Sequence, residues 1–223
     1  MNRVNVVFDI GNVLLHWDPR ALYRKIFATE DEVEWFLGNV STSAWNLEQD
    51  RGRSFEEAIA EAASRHPGHA EAIAAYHHRW EETLTHVIEG SVSILQELKD
   101  QGTPLYAITN WHQDKFRQTR LRYPFLGHFR DIVVSGDEKL IKPDPGIYRL
   151  LLDRNGLKSP ACHVSLDSLR TGWHRTLTDA AEIGHKWLLV AYLGTNDRNS
   201  ISAIKRTAEL FNKAGMEAKD YKI

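Results

Sequence analysis

Apolar residues along this chain occur with two alternating spacings, one typical of buried strands and the other typical of amphipathic helices. The first stretch, residues 4–8, is almost continuously apolar, as in a strand that is buried on both faces of a parallel sheet. From residue 90 onward, helix-like and strand-like stretches follow one another, and this rhythm predicts a parallel sheet with flanking helices. The further predicted strands are residues 104–109, 131–136, 163–167 and 187–193.

The helices between these strands have clear start and stop signals. Asp144-Pro145 predicts a helix that begins with an N-cap and a proline at its first position, and Gly156 is the expected end of that helix. An earlier helix is expected to end at Gly102, and a last one at Gly215. The sequence from residue 90 therefore reads as a continuous α/β unit.

A helical block follows the first strand directly. Residues 18–89 contain no convincing strand, and Ser54 with Glu57 forms a capping box that predicts the start of one of the helices. We therefore predict two parts, a core made of residues 1–17 and 90–223 and an inserted helical domain over residues 18–89.

Composition and charge narrow the range of partners. The chain has 223 residues with 28 basic and 30 acidic side chains, so no strong positive field is present to attract nucleic acid or an anionic membrane. No apolar run approaches the roughly 20 residues that a membrane-spanning helix needs. With one cysteine, Cys162, and no pattern of a signal peptide at the N-terminus, we expect a cytoplasmic protein.

Polar residues stand at or just after the predicted strand ends, or in the loops beside them. They are Asp9, Thr109-Asn110, Lys142 and Asp167. Because parallel strands bring their carboxyl ends to one edge of the sheet, we expect these residues to share one site. An acid that follows an apolar strand needs a basic partner, a metal or a reaction to offset its burial.

These residue types suit phosphoryl transfer. A carboxylate such as Asp9 can attack phosphorus and form an aspartyl-phosphate. The Thr109 hydroxyl and the Asn110 amide can hold phosphoryl oxygens, and the Lys142 ammonium can neutralise them. Asp167 can add a second carboxylate to a Mg²⁺ site, which favours oxygen ligands.

Four short segments around these residues resemble the ordered motifs of the haloacid dehalogenase-like (HAD) hydrolase superfamily. The resemblance covers residues 4 to about 168. The matching segments are Phe-Asp-Ile-Gly-Asn-Val-Leu, Ile-Thr-Asn, Ile-Lys-Pro-Asp-Pro and Leu-Asp-Ser. The resemblance implies a Rossmann-like core with a helical cap inserted after the first motif. It also implies roles for the site residues: Asp9 as nucleophile and Mg²⁺ ligand, the Gly11 carbonyl and Asp167 as further ligands, Thr109 as phosphate-binding hydroxyl and Lys142 as charge stabiliser.

Two positions depart from the family pattern. Most phosphatases of the family carry a general acid two positions after the nucleophile, where this chain has Gly11. His16 and Asp18 are candidate replacements for it. In the fourth motif, Leu166 stands where relatives commonly have a second acid.

The resemblance leaves three functions open. The leading hypothesis is a Mg²⁺-dependent hydrolase of small phosphorylated metabolites, of the sugar-phosphate type. The second is a 2-haloacid dehalogenase, in which Asp9 displaces halide without a metal. The third is a catalytically weak binding protein, which Leu166 favours.

Overall fold

A four-stranded parallel sheet lies at the centre of the computed structural model, which describes residues 5–157 and 187–190. The strands of the chain in these ranges are Asn5–Phe8 (β1), Leu15–Trp17 (β2), Leu84–Val87 (β3), Leu105–Thr109 (β4), Asp131–Val134 (β5) and Trp187–Val190 (β6). The sheet has the order β5-β4-β1-β6, and all three neighbouring pairs are parallel. β1 and β4 are therefore the two central strands.

Helices occupy the segments between the strands. Nine α-helices fall within the described residues: Arg20–Tyr23 (α1), Glu30–Asn39 (α2), Ser43–Asp50 (α3), Phe55–Arg65 (α4), Ala70–His78 (α5), Glu89–Asp100 (α6), Gln113–Arg122 (α7), Ser135–Glu138 (α8) and Pro145–Arg154 (α9). Short 3-10 helices lie at Pro67–His69, Trp80–Thr83 and Pro124–His128. None of the helices in the described ranges is long and apolar enough to cross a membrane.

The central strands are buried on both faces, as their continuous apolar sequence predicts. Phe8 of β1 belongs to a buried cluster that includes Leu95 of α6, and its neighbour Val7 belongs to a second cluster with Ile147 and Leu151 of α9. Successive residues of a strand point to opposite faces, so helices cover the sheet from both sides. The predicted Rossmann-like α/β fold is confirmed.

The helices that were predicted from their caps begin where the sequence places them. The Asp144 side chain accepts a hydrogen bond of 2.7 Å from the Gly146 backbone N–H at the start of α9. The Ser54 hydroxyl accepts one of 3.2 Å from the Glu57 N–H at the start of α4. Each bond satisfies one of the backbone donors that the first turn of a helix leaves free.

Helices α1 to α5 form the segment between β2 and β3, and their core is aromatic. Tyr23, Phe36 and Tyr76 are buried, and the ring centroids of Tyr23 and Phe36 lie 4.6 Å apart. Aromatic side chains supply much of the buried area in such small helical units. The division into a core and a cap domain stays a prediction.

A two-stranded antiparallel ribbon was not anticipated. β2 pairs with β3, with Leu15 opposite Val87 and the rings of His16 and His86 stacked at 4.6 Å. The interpretation of residues 18–89 as free of strands is therefore wrong at residues 84–87. This short segment becomes a strand because β2, far away along the chain, supplies its hydrogen-bonding partner.

The other predicted strands agree with the structure to different extents. The predicted strand 104–109 is β4 and the start of 187–193 is β6, whereas the strand predicted over 131–136 ends at Val134 because helix α8 begins at Ser135. The predicted strand 163–167 and the helix before Gly215 lie outside the described residues.

The packing of α6 leads to a stability prediction. Leu95 is fully buried beneath the sheet, whereas Leu121 on α7 is 88% exposed. We expect Leu95→Ala to lower the free energy of unfolding by about 2–5 kcal/mol, since it removes buried contacts and leaves a cavity. Leu121→Ala, the same chemical change on the surface, should stay within about 0.5 kcal/mol. Urea denaturation of both variants measures the difference, and equal effects would contradict the assigned packing.

Candidate active site

Three of the predicted site residues meet at the carboxyl ends of the two central strands. Asp9 directly follows β1, Thr109 is the last residue of β4, and Lys142 reaches the same point from the loop before α9. All three are at least nine-tenths buried. They line a cavity of about 170 Å³ together with Gly11 and Asn110.

Asp9 and Lys142 form a buried ion pair. The Lys142 Nζ lies 2.7 Å from Asp9 Oδ2 and also donates to the Ile108 carbonyl at 3.0 Å. The other carboxylate oxygen of Asp9 accepts from the Ile10 backbone N–H at 2.8 Å. Two buried charges are tolerated only when they are paired and hydrogen-bonded in this way. The pair leaves a carboxylate at the cavity wall with a cation beside it.

The Asn110 side chain holds the loop that carries the lysine. Its Oδ1 accepts from the Lys142 backbone N–H at 2.8 Å, and its Nδ2 donates to the Lys142 carbonyl at 3.2 Å. Asn110 therefore uses its side-chain oxygen and one of its two Nδ2 hydrogens to position Lys142. Its contact with phosphate stays a prediction.

The Thr109 hydroxyl is buried and has no hydrogen-bonding partner among the described residues. Buried polar groups in folded proteins nearly always have a partner, so an unpartnered hydroxyl on a residue that lines a cavity is a candidate ligand contact. This is the observation to expect if Thr109 binds a phosphoryl oxygen.

The loop after Asp9 explains the asparagine of the first motif but not the glycine before it. Asn12 adopts a left-handed backbone conformation with φ 57°, which asparagine tolerates better than most residues. Its side-chain oxygen accepts from the Trp17 backbone N–H at 2.9 Å. A Cβ atom on Gly11 would lie 3.7 Å from the Trp111 ring, an ordinary contact. The missing side chain at position 11 is therefore not imposed by its immediate surroundings.

Asp50, at the end of α3, lines the same cavity and was not among the predicted site residues. Burial raises the pKa of its carboxyl to about 7, against the smaller opposing effects of the Lys142 charge and the His112 backbone N–H. Sequence reasoning missed this residue because it follows Glu48 on a helix and precedes Arg51, a setting typical of a solvent-exposed acid.

His16 and Asp18, the candidate replacements for the acid missing at Gly11, lie elsewhere. They line a neighbouring cavity of about 630 Å³ and are not among the residues that line the cavity of Asp9. The His16 Nδ1 is 2.7 Å from the Thr85 hydroxyl, and the Asp18 carboxylate lies 3.8 Å from the Arg20 guanidinium. The two cavities share Asn12, Trp17 and Asn46 as lining residues.

The predicted metal ligands are divided between described and undescribed parts of the chain. Asp9 and Gly11 both line the cavity, and a carboxylate with a backbone carbonyl is the hard oxygen donor set that Mg²⁺ prefers. Asp167 and Leu166 lie outside the described residues. Within residues 5–157 and 187–190, no group of three or more His, Cys, Asp and Glu side chains is arranged to hold a metal ion.

The sequence pattern of the haloacid dehalogenase-like hydrolases matches residues 7–169. The chain belongs to this family. The match begins within β1 and continues through helices α1 to α5 and the loop of Lys142, so it includes every described residue that we place at the site.

Several solved structures share the fold of this chain. One is a magnesium complex of a HAD family enzyme from Bacteroides thetaiotaomicron, with 14% sequence identity, 90% of this chain and 98% of the other covered, and a TM-score of 0.58. A complex of that enzyme with magnesium and inorganic phosphate has 16% identity, coverage of 89% and 99%, and a TM-score of 0.55. A dehalogenase has 17% identity, coverage of 92% and 97%, and a TM-score of 0.54. At these identities the likeness shows the fold alone.

The buried Asp50 carboxyl makes stability depend on pH. Its pKa is about 7 in the folded protein and about 4 in an unfolded chain, so between these values the folded state holds a proton that the unfolded state has lost. The free energy of unfolding therefore falls as pH rises through this range. Asp50→Asn removes this dependence, and we expect its stability relative to the parent to rise by roughly 3 kcal/mol between about pH 4.5 and pH 8.

Urea denaturation in EDTA at the two pH values measures this change. The control is Asp31→Asn, the same chemical change at an exposed position on α2, whose difference from the parent should not vary with pH. A constant difference for Asp50→Asn would show that the folded protein does not hold the proton.

Proposed function

We propose that this protein is a Mg²⁺-dependent hydrolase of small phosphomonoesters that works through an aspartyl-phosphate on Asp9. The observation that carries the proposal is the buried Asp9–Lys142 pair in a cavity that the unpartnered Thr109 hydroxyl also lines. The carboxylate supplies a nucleophile, and the two neighbouring side chains supply a charge and a donor for phosphoryl oxygens.

Each of the four site residues that the structure describes has a part in the proposed reaction. An oxygen of Asp9 attacks phosphorus, the bond to the leaving-group oxygen breaks, and water later hydrolyses the aspartyl-phosphate to regenerate the carboxylate. Lys142 offsets the repulsion between the carboxylate and the phosphate, since its ammonium is already held 2.7 Å from Asp9. Thr109 donates its hydroxyl to a phosphoryl oxygen, and the Asn110 side chain keeps Lys142 in place.

Mg²⁺ would be held by the Asp9 carboxylate, the Gly11 carbonyl and Asp167, and when bound it neutralises phosphoryl charge and orients the oxygens. The HAD family enzyme from Bacteroides thetaiotaomicron has been crystallised with magnesium and inorganic phosphate, which supports this choice of cofactor by analogy.

The cavity sizes favour a small polar substrate. The space of about 170 Å³ around Asp9 suits a phosphoryl group, and the adjoining space of about 630 Å³ can receive the rest of the molecule. The larger cavity is lined by His16, Asp18, Arg20 and the hydroxyl residues Ser41 and Thr42. Such a lining suits a hydroxyl-rich leaving group, so a sugar-phosphate type of metabolite in the cytoplasm is our preferred substrate.

One observation favours the second function, a 2-haloacid dehalogenase. Trp80 and Trp111 line the cavity of Asp9, and their indole N–H groups are buried without a partner in the described part of the chain. An indole N–H can donate to a departing halide. A dehalogenase would use the same Asp9 to attack carbon, with no need for a metal.

The phosphatase is tested with p-nitrophenyl phosphate. We expect release of phosphate that requires Mg²⁺, is lost in EDTA and falls on the order of 10³-fold or more in Asp9→Asn, because that variant lacks the nucleophile. Asp31→Asn, the exposed counterpart on α2, should keep the parent activity. Asp9→Asn leaves the Lys142 charge unpaired and should unfold at a lower temperature. A cooperative thermal transition above the assay temperature would show that the fold is retained.

The same preparations decide between the alternatives. Chloride release from 2-chloropropionate in EDTA, together with no phosphate release in Mg²⁺, would replace the phosphatase by the dehalogenase. Activity in neither assay, with a normal unfolding transition, would leave the weak binding protein.

A further inference from the structure

We propose that Asp50 is the general acid of this enzyme, the residue that protonates the leaving-group oxygen, and so replaces the acid that most family members carry at the position of Gly11. The inference rests on the proposed phosphatase function and names a further catalytic residue for it. It starts from the composition of the cavity: among its lining residues in the described part of the chain, the carboxylic acids are Asp9 and Asp50.

The two acids have different surroundings. The Asp9 carboxylate is paired with Lys142 at 2.7 Å, as a nucleophile that must stay ionised requires. Asp50 makes no salt bridge within 4 Å in the described residues, although the Lys142 charge acts on it from a greater distance. Two acids in one site whose surroundings favour opposite protonation states are the usual arrangement of nucleophile and proton donor.

The Asp50 side chain is held at the cavity by its neighbours. Asn46 donates from Nδ2 to Asp50 Oδ2 at 3.2 Å, and the Asn46 Oδ1 accepts from the Tyr76 hydroxyl at 2.6 Å. Because Tyr76 uses the amide oxygen, the amide nitrogen of Asn46 faces the carboxyl. The backbone N–H of His112, the residue before α7, also acts on it and lowers its pKa.

The Asp50 backbone is fixed as well. The Ser135 hydroxyl donates to the Asp50 carbonyl at 2.6 Å and accepts from the Trp111 backbone N–H at 2.9 Å, so one side chain joins α3 to the ends of β4 and β5. Two residues later, Gly52 lies so close to Gly136 that a Cβ atom would be 2.7 Å from the Gly136 carbonyl oxygen. An acid held on both sides in this way needs little reorganisation to act.

The protonation state of the Asp50 carboxyl is suitable for a proton donor. The Lys142 charge and the His112 N–H act on the carboxyl, Asn46 donates a hydrogen bond to it, and its charge acts in turn on the Tyr76 hydroxyl. Burial outweighs the first two, and the resulting pKa of about 7 keeps a large share of Asp50 protonated near neutral pH. A general acid works best when its pKa lies close to the operating pH.

The reaction balances with Asp50 in this role. As Asp9 Oδ bonds to phosphorus, the electron pair of the breaking P–O bond goes to the leaving-group oxygen, which takes the proton of Asp50. The Asp50 carboxylate then accepts a proton from the water that attacks the aspartyl-phosphate. This second step frees Asp9 and inorganic phosphate and restores the acid form of Asp50.

The test compares two substrates that differ in the basicity of the leaving group, phenyl phosphate and 2,4-dinitrophenyl phosphate. Dinitrophenolate departs without a proton, whereas phenolate needs one. In the first turnover with Mg²⁺, we expect Asp50→Asn to slow phenol release by about 10²- to 10⁴-fold and dinitrophenolate release by less than about tenfold.

A second signature follows from the hydrolysis step. With dinitrophenyl phosphate, Asp50→Asn should release one equivalent of dinitrophenolate per active site in a burst and then turn over slowly, because water attack lacks its proton acceptor. The phosphorylated protein that accumulates can be trapped by acid quench and detected by its mass. Asp31→Asn should behave like the parent with both substrates.

The remaining outcomes overturn the inference in different ways. An equal loss with both substrates in the first turnover would make Asp50 a structural residue, and no loss with either would remove it from the reaction. Selective loss in Asp18→Asn or His16→Gln instead of Asp50→Asn would assign the proton donor to the larger cavity.

A parent protein that cleaves neither ester would overturn the proposed phosphatase function itself. If Asp50→Asn does not give a normal unfolding transition, Asp50→Ser replaces it.

Discussion

The buried ion pair between Asp9 and Lys142 is the interaction on which the rest of the site depends. Each charge alone would be costly at this depth, and removing either partner would leave the other unpaired and buried. The pair also ties three parts of the chain together, because the lysine contacts the Ile108 carbonyl of β4 and its backbone is held by Asn110. A reactive carboxylate can thus be kept at the end of a buried strand.

The pairing of Lys142 with Asp9 also affects the second acid of the cavity, Asp50. Lys142 lies 2.7 Å from Asp9 and acts on Asp50 only from a greater distance, so burial outweighs its effect on the pKa of the second acid. The end of β1 therefore provides the acid that is paired with a cation, and helix α3 provides the acid whose pKa is raised by burial. Division of roles between two carboxyl groups arises here from their different neighbours, since their intrinsic chemistry is the same.

Much of the fold and part of the site could be predicted from the sequence, for one topological reason. Asp9, Thr109 and Lys142 stand in segments that follow or end apolar strands, and parallel strands always bring those ends to one edge. No such rule predicts that Asp50 lies at the site, because its burial depends on how α3 packs against Ser135 and the chain beside it. Local periodicity contains no information about that contact.

The same limit applies to β3 and to the predicted replacements for the missing acid. Residues 84–87 become a strand only because β2 lies alongside, and a segment of four residues is too short to reveal this by its own pattern. His16 and Asp18 are close to Asp9 in the sequence, but β2 carries the chain away from the carboxyl end of β1 and into the larger cavity. Sequence proximity to Asp9 therefore did not place these two side chains in its cavity, whereas the order of the strands correctly brought Thr109 there.

The close approach of Gly52 to Gly136 affects how the enzyme tolerates sequence change. At this point main chain touches main chain, with φ 96° at Gly52 and no room for a side chain. The end of α3, where Asp50 lies, is therefore held against α8 by a contact between two backbones. Any side chain at position 52 would force one of these two backbones to shift, so a residue outside the cavity helps to govern where the Asp50 carboxyl can lie.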